Sequence, residues 1–156
     1  MTESEALAVL RGGDPAKAAR AAALLWEMWH RSGDPQIDAI LRQGVEAMEK
    51  QDLDAAEAVF TVVIQRAPAF AEGWNKRATT RFMAKDYRGA VADCRETLAR
   101  KPHHFGALSG QGLCHMALGE YREAAELFKR ALGVHPRLDG ARANLRTAMS
   151  ELVKWN

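Results

Sequence analysis

The sequence has little of what would mark an exported, membrane-bound or catalytic protein. It holds only two cysteines, Cys94 and Cys114, in 156 residues. Two are too few for a disulfide framework, and neither lies in a Cys-x-x-Cys pair. Both fall at helical core-type spacings and read as small buried hydrophobes. No apolar run approaches the roughly 20 residues that a bilayer-spanning helix needs. The start, Met1-Thr2-Glu3-Ser4-Glu5, is acidic and has no apolar signal core. A cytoplasmic or organelle-soluble location is therefore expected, although a removed leader would leave the same trace. No phosphate-binding glycine loop, HExxH pair or nucleophile elbow occurs, so no catalytic residue, metal or cofactor is expected. Aromatic side chains number eleven, mostly at core spacings, which leaves no stacking platform for RNA.

What is present favours helices. Hydrophobic residues make up 47% and charged residues 27%, ordinary values for a globular chain. Alanine, leucine, arginine and glutamate dominate, while Val and Ile are sparse. The net charge of +2 conceals an asymmetry. Residues 1–70 carry seven Lys/Arg against eleven Asp/Glu, and residues 71–156 carry fifteen against nine. Such a gradient can orient a partner but is too mild to imply nucleic acid.

The decisive feature is a 34-residue period. Gly44, Ala78 and Gly112 keep this step, as do Ala56, Ala90 and Ala124. So do Pro68, Pro102 and Pro136, and Leu53, Tyr87 and Tyr121. Phe60 and Phe128 share a register with Cys94 between them. The small residues suit two helices that cross closely, and each Pro blocks continuation of the second helix. The pattern predicts helices over 37–49, 53–66, 71–84, 87–100, 105–118 and 121–133. Residues 139–154 read as one more amphipathic helix with a polar outer face, suited to capping a solenoid.

This pattern resembles the tetratricopeptide-repeat (TPR) family. The third copy, Leu108, Gly112, Tyr121, Ala124, Phe128, Ala131 and Pro136, matches that signature best. The strings Phe70-Ala71-Glu72-Gly73-Trp74-Asn75-Lys76-Arg77-Ala78-Thr79 and His104-Phe105-Gly106-Ala107-Leu108-Ser109-Gly110 are further similar to a group of small TPR proteins of bacteria and photosynthetic eukaryotes. The resemblance implies an all-α fold, a right-handed superhelix of antiparallel helix pairs. Its expected parts are a degenerate N-terminal hairpin at 1–36, repeats at 37–70, 71–104 and 105–138, and a capping helix at 139–156. The N-terminal hairpin would hold a helix at 3–11, ended by Gly12-Gly13, and one at 15–31 starting at Asp14-Pro15. Trp26 and Trp29 are expected to pack this cap onto the helix at 37–49.

The resemblance also implies a concave face lined by the first helix of each pair. Here it would present Leu41, Val45 and Met48, then Asn75, Thr79, Phe82 and Met83, then Ser109, Leu113 and Met116. This set is apolar and rich in methionine, which suits an amphipathic or extended peptide. An element of this chain or a second copy would fill the same groove. Some relatives grip the C-terminal carboxylate of heat-shock chaperones through Lys, Asn and Arg at fixed places. This chain has Leu41, Val45, Lys76, Gly106 and Gly110 there, so that clamp is not expected.

Arg77 and Arg81 stand four apart where Leu and Tyr are usual in the family. Arg77 is expected to pair with Asp93, and Arg81 with Asp93 or Glu96. His103, His104 and His135 lie at repeat ends and read as surface-loop residues rather than metal ligands. His115 reads as a packed, hydrogen-bonded residue and His30 as a complement to a helix end. Three functions follow as expectations: an adaptor for a protein partner, a self-associating module present as monomer or weak homodimer, and a weak RNA contact through Arg137, Arg142, Arg146 and Lys154.

Overall fold

Helix ends are set by local chemistry along the whole chain. Asp14 and Asp34 accept hydrogen bonds from first-turn amides, each followed by a proline at the first helical position. Asp52 and Asp86 cap in the same way from equivalent repeat positions. The turn before Asp52, Asp86 and the equivalent Glu120 takes left-handed backbone. Gln51 (φ 63°), Lys85 (φ 64°) and Gly119 (φ 75°) supply it at the same place in successive repeats. Only the third uses glycine, the residue that adopts this conformation without steric cost.

The computed structural model describes residues 1–154, and among these the secondary structure consists of nine α-helices. They are α1 (Glu3–Leu10), α2 (Pro15–Trp29), α3 (Pro35–Glu49), α4 (Leu53–Arg66), α5 (Ala71–Met83), α6 (Tyr87–Arg100), α7 (Phe105–Ala117), α8 (Tyr121–Val134) and α9 (Asp139–Lys154). Successive helices from α3 to α9 pack as neighbours and form the expected solenoid. The last two positions assigned to the capping helix, 155 and 156, lie outside the described residues.

Each repeat closes around one crossing of small against large. A Cβ added to Gly112 would lie 2.7 Å from Phe128 Cε1, and one added to Gly44 would run into the Phe60 ring. Both phenylalanines are fully buried. In the middle repeat the crossing is reshaped on both sides. Ala78 takes the glycine place and Cys94 the phenylalanine place, and both are buried. The methyl group that Ala78 adds fills only part of the volume that Cys94 gives up.

The N-terminal hairpin departs from expectation. The two tryptophans do not pack it onto α3 as one more stacked repeat. Instead α1 and α2 fold back across the N-terminal ends of α5 and α7. Trp29 stacks on His104 at 4.4 Å between ring centroids and meets Phe105 at 5.1 Å. Trp26 lies against Gly106 and takes the Lys76 ammonium over its ring at 5.5 Å. Leu7, Leu10 and Leu25 join one core with Leu108 and Phe128 of the last repeat. Two polar ties secure the far edge: Lys101 Nζ to Glu3 at 2.7 Å, and Arg137 Nη1 donating to the Gly12 carbonyl at 2.9 Å.

The connection between α2 and α3 explains the turn. Gly33 has φ 87°, a conformation open to glycine. Asp38 accepts from the Ser32 amide at 2.9 Å and from its hydroxyl at 2.6 Å. This knot turns the chain sharply at the start of α3. The hairpin then buries its apolar side on the repeat ends rather than extending the stack.

A candidate interaction groove and its N-terminal wall

The first helices α3, α5 and α7 lie side by side, and the hairpin packs along one edge of them. At that edge sits a buried charge cluster. Glu72, with no exposed surface, accepts a hydrogen bond from His104 Nε2 at 3.0 Å and from Asn75 Nδ2 at 2.9 Å. His30 Nε2 lies 3.4 Å and Lys76 Nζ 3.7 Å from the same carboxylate. His104 Nδ1 accepts the Ala107 amide and so caps α7. His104 is therefore fully buried, not the surface-loop residue expected from the sequence. Its neighbour His103 is exposed.

Burial alone would push the Glu72 carboxyl up. The His104 hydrogen bond and the charges of His104, His30 and Lys76 outweigh burial and hold it below the ordinary 4.5. The unfolded chain then binds this proton more readily than the folded one. The resulting stabilisation is complete above pH 4.5 and falls away as the pH drops through the lower folded value. Thermal unfolding midpoints measured between pH 7 and pH 3 are expected to fall more steeply for the parent than for Glu72→Gln. Parallel curves would show that Glu72 contributes no such linkage.

The other sequence-singled side chains are placed as follows. Arg77 forms a two-pronged pair with Asp93, both contacts 2.8 Å, and Arg81 reaches Asp93 at 3.1 Å. Arg81 finds its second carboxylate in Glu57 at 2.9 Å rather than in Glu96. His115 is buried and bonded to Glu120 at 3.0 Å. His30 ends α2, with Nδ1 donating to the Trp26 carbonyl at 2.7 Å. Cys94 and Cys114 are buried and free of any disulfide. The hydrogen bond with Cys114, together with burial, pushes the Cys94 thiol up. Among the described residues, no group of three or more His, Cys, Asp or Glu is arranged to hold a metal ion. No described helix is long and apolar enough to cross a membrane.

Of the expected groove residues, Val45, Met48, Phe82, Met83, Leu113 and Met116 are half-buried and Thr79 is exposed. Leu41 is 4% exposed and Asn75 8%, so each presents only an edge. Ser109 Oγ is buried without a hydrogen-bond partner. An open cavity of about 640 Å³ lies over the first repeat, lined by Leu41 and Val45 with Arg42, Glu49, His30 and Lys76 around it. Leu41 and Val45, expected from the sequence to face a partner, line this cavity. Its wall left no signal in the sequence, because His30 and Lys76 meet only through the fold-back of α2.

Three overlapping segments of the chain, 41–105, 77–141 and 109–154, match the family model described as tetratricopeptide repeat. The chain belongs to the TPR family. It is 32% identical over 126 residues to a TPR repeat-containing protein of Rhizobium etli, a match covering 81% of this chain and 62% of that protein. This chain thus spans less than two thirds of that relative's length. Among solved structures it is similar to the first TPR of Spaghetti (RPAP3) bound to HSP90 peptide SRMEEVD. The TM-score is 0.75 at 24% identity, covering 77% of this chain and 96% of that one. It is also similar to the Sgt2 TPR domain from Aspergillus fumigatus, with a TM-score of 0.76 at 21% identity over 79% of this chain and 83% of that one. These structural likenesses establish the TPR fold.

Proposed function

We propose that this TPR protein is an interaction adaptor that receives a peptide or helix of another protein on its concave face, with no catalytic step of its own. One observation carries the reading. Half-buried apolar side chains line three consecutive first helices: Val45 and Met48 on α3, Phe82 and Met83 on α5, Leu113 and Met116 on α7. Val45 also lines the open cavity over the first repeat. Apolar surface of this kind, with adaptable methionines, suits a segment that buries an apolar face.

The partner we infer is not held by a terminal carboxylate. Lys76, the one cation among the clamp places, is engaged by Glu72 and the Trp26 ring. Leu41, Val45, Gly106 and Gly110 supply no charge at the others. Contact with RNA through α9 is disfavoured for a related reason. Arg142 lies 3.6 Å from Asp139 and Lys154 2.8 Å from Glu151, so part of the basic charge is already balanced.

Affinity capture from the native organism tests the adaptor reading. Met48→Glu and Phe82→Glu each place a charge in the apolar surface and are expected to cut recovery of specific partners at least tenfold, about 1.4 kcal/mol of binding. Far-UV circular dichroism should stay unchanged, since both side chains are only half-buried. Recovery of the same proteins by parent and variants would overturn the proposal. A second reading, self-association through the end helix, rests on Met149 and Val153, which are 42% and 73% exposed. Light scattering across concentrations separates the two, because a monomer throughout removes the second.

A further inference from the structure

The middle of the groove contains a closed-in slot that the chain's own packing does not require. It lies between α5, α6 and α7, has a volume of about 110 Å³, and is walled by Ala78, Phe82, Cys94, Gly110, Leu113 and Cys114. Apolar cavities of roughly 150 Å³ stay dry and accept a guest the size of benzene. A slot of this size matches one aliphatic or aromatic side chain. Asn75 and Thr79 stand at its rim, and no lining residue carries a formal charge at neutral pH.

Two independent reductions in side-chain size open the same space. The first is Cys94, which occupies the place of Phe60 and Phe128 in the flanking repeats. The second is Gly110, inside α7. Glycine is the poorest helix former apart from proline, so a mid-helix glycine calls for a packing reason. Gly112 and Gly44 have one, because a phenylalanine ring fills the space of their missing Cβ. Gly110 has none. A Cβ there would make a single ordinary contact, 3.9 Å from Cys94 Sγ. Interiors are otherwise close-packed, and unfilled space costs stability.

We infer that this slot is the anchor pocket of the groove, taking one uncharged apolar side chain, Leu, Ile, Met or Phe, from a partner peptide segment. This rests on the groove reading above and sharpens it to one contact. The uncharged lining would leave an acidic or basic anchor desolvated and unpaired. The concave setting favours a single segment over a second folded copy. Among the described residues the exposed large apolar side chains are Met1, Trp26, Met149 and Val153, and the last three project from the full-length helices α2 and α9.

The probe is a phage-displayed library of random twelve-residue peptides panned on the full chain. Retained sequences are synthesised with a fluorescein label and titrated by anisotropy against the parent, Gly110→Ala, Gly110→Leu and Met48→Glu. The retained peptides should share one apolar position whose change to Asp weakens binding at least tenfold. Gly110→Leu should weaken the same peptides at least tenfold and Gly110→Ala by less. The unfolding midpoint of Gly110→Ala should rise, because alanine favours the helix and meets no obstruction. A loss of fold would lower both, so opposite movements of affinity and stability mark an occupied slot. Peptides weakened by Met48→Glu but indifferent to Gly110→Leu overturn the slot and leave the groove standing. Peptides indifferent to both, or no groove-dependent peptide at all, overturn both readings. A parent dimer in sedimentation velocity that Gly110→Leu dissolves assigns the slot to a second copy and overturns the peptide assignment.

Discussion

Asp93→Ala should lower the unfolding free energy by about 3 kcal/mol, the scale for removing one partner of a buried ion pair. Asp93 is 2% exposed and receives Arg77 through two contacts and Arg81 through a third. Without it, Arg77 keeps Thr61 Oγ1 at 3.3 Å and the face of the Trp74 ring at 5.3 Å but no paired carboxylate, whereas Arg81 retains Glu57. The cost therefore falls mainly on Arg77, whose side chain is 14% exposed. Urea unfolding followed by circular dichroism measures it, and a change under 1 kcal/mol would mean that water replaces the carboxylate with little loss. The apolar double replacement Arg77→Leu with Asp93→Leu should recover most of the stability. An unpaired buried charge is far more costly than a well-packed apolar pair of similar volume.

A second large effect is expected at the helix crossing of the last repeat. Phe128→Cys removes most of a fully buried ring and should cost about 3 kcal/mol through lost transfer energy and the cavity left behind. Gly112→Ala pushes a methyl group into that ring and should cost about 1 kcal/mol or more, even after alanine's better helix propensity. The combination reproduces what the middle repeat holds as Ala78 and Cys94. The double variant should thus be more stable than the sum of the two single changes implies, with a coupling of about 1 kcal/mol. Strict additivity in a denaturant double-mutant cycle would show that the two positions relax independently.

Much of the architecture can be read from the repeat. Tyr87, Tyr121 and the prolines at 68, 102 and 136 bracket the second helices, and the observed ends lie within a residue or two of those expected. The Arg77–Asp93 pair was expected because the family resemblance implies an Asp on the second helix opposite an Arg at that first-helix place. The groove positions, too, are what the resemblance implies. His104 shows where the repeat pattern stops. As the residue before a first helix it looks like part of a loop. It is buried because the side chain of Trp29, seventy-five residues earlier, lies flat on it.

The sequence by itself determined the repeated helix pair, its caps and turns, and the apolar face of each first helix. These depend on contacts within one period, and a 34-residue pattern records such contacts directly. Only the tertiary structure decided where α1 and α2 go and which part of the groove stays open. The hairpin repeats too little of the pattern to stack, and its path depends on Gly33 and on burial against residues more than seventy positions away. No local periodicity encodes that choice. The slot beside Gly110 belongs to the same class. A glycine shows in a sequence, but whether its missing side chain is filled by a neighbour or left as space is decided by packing between helices.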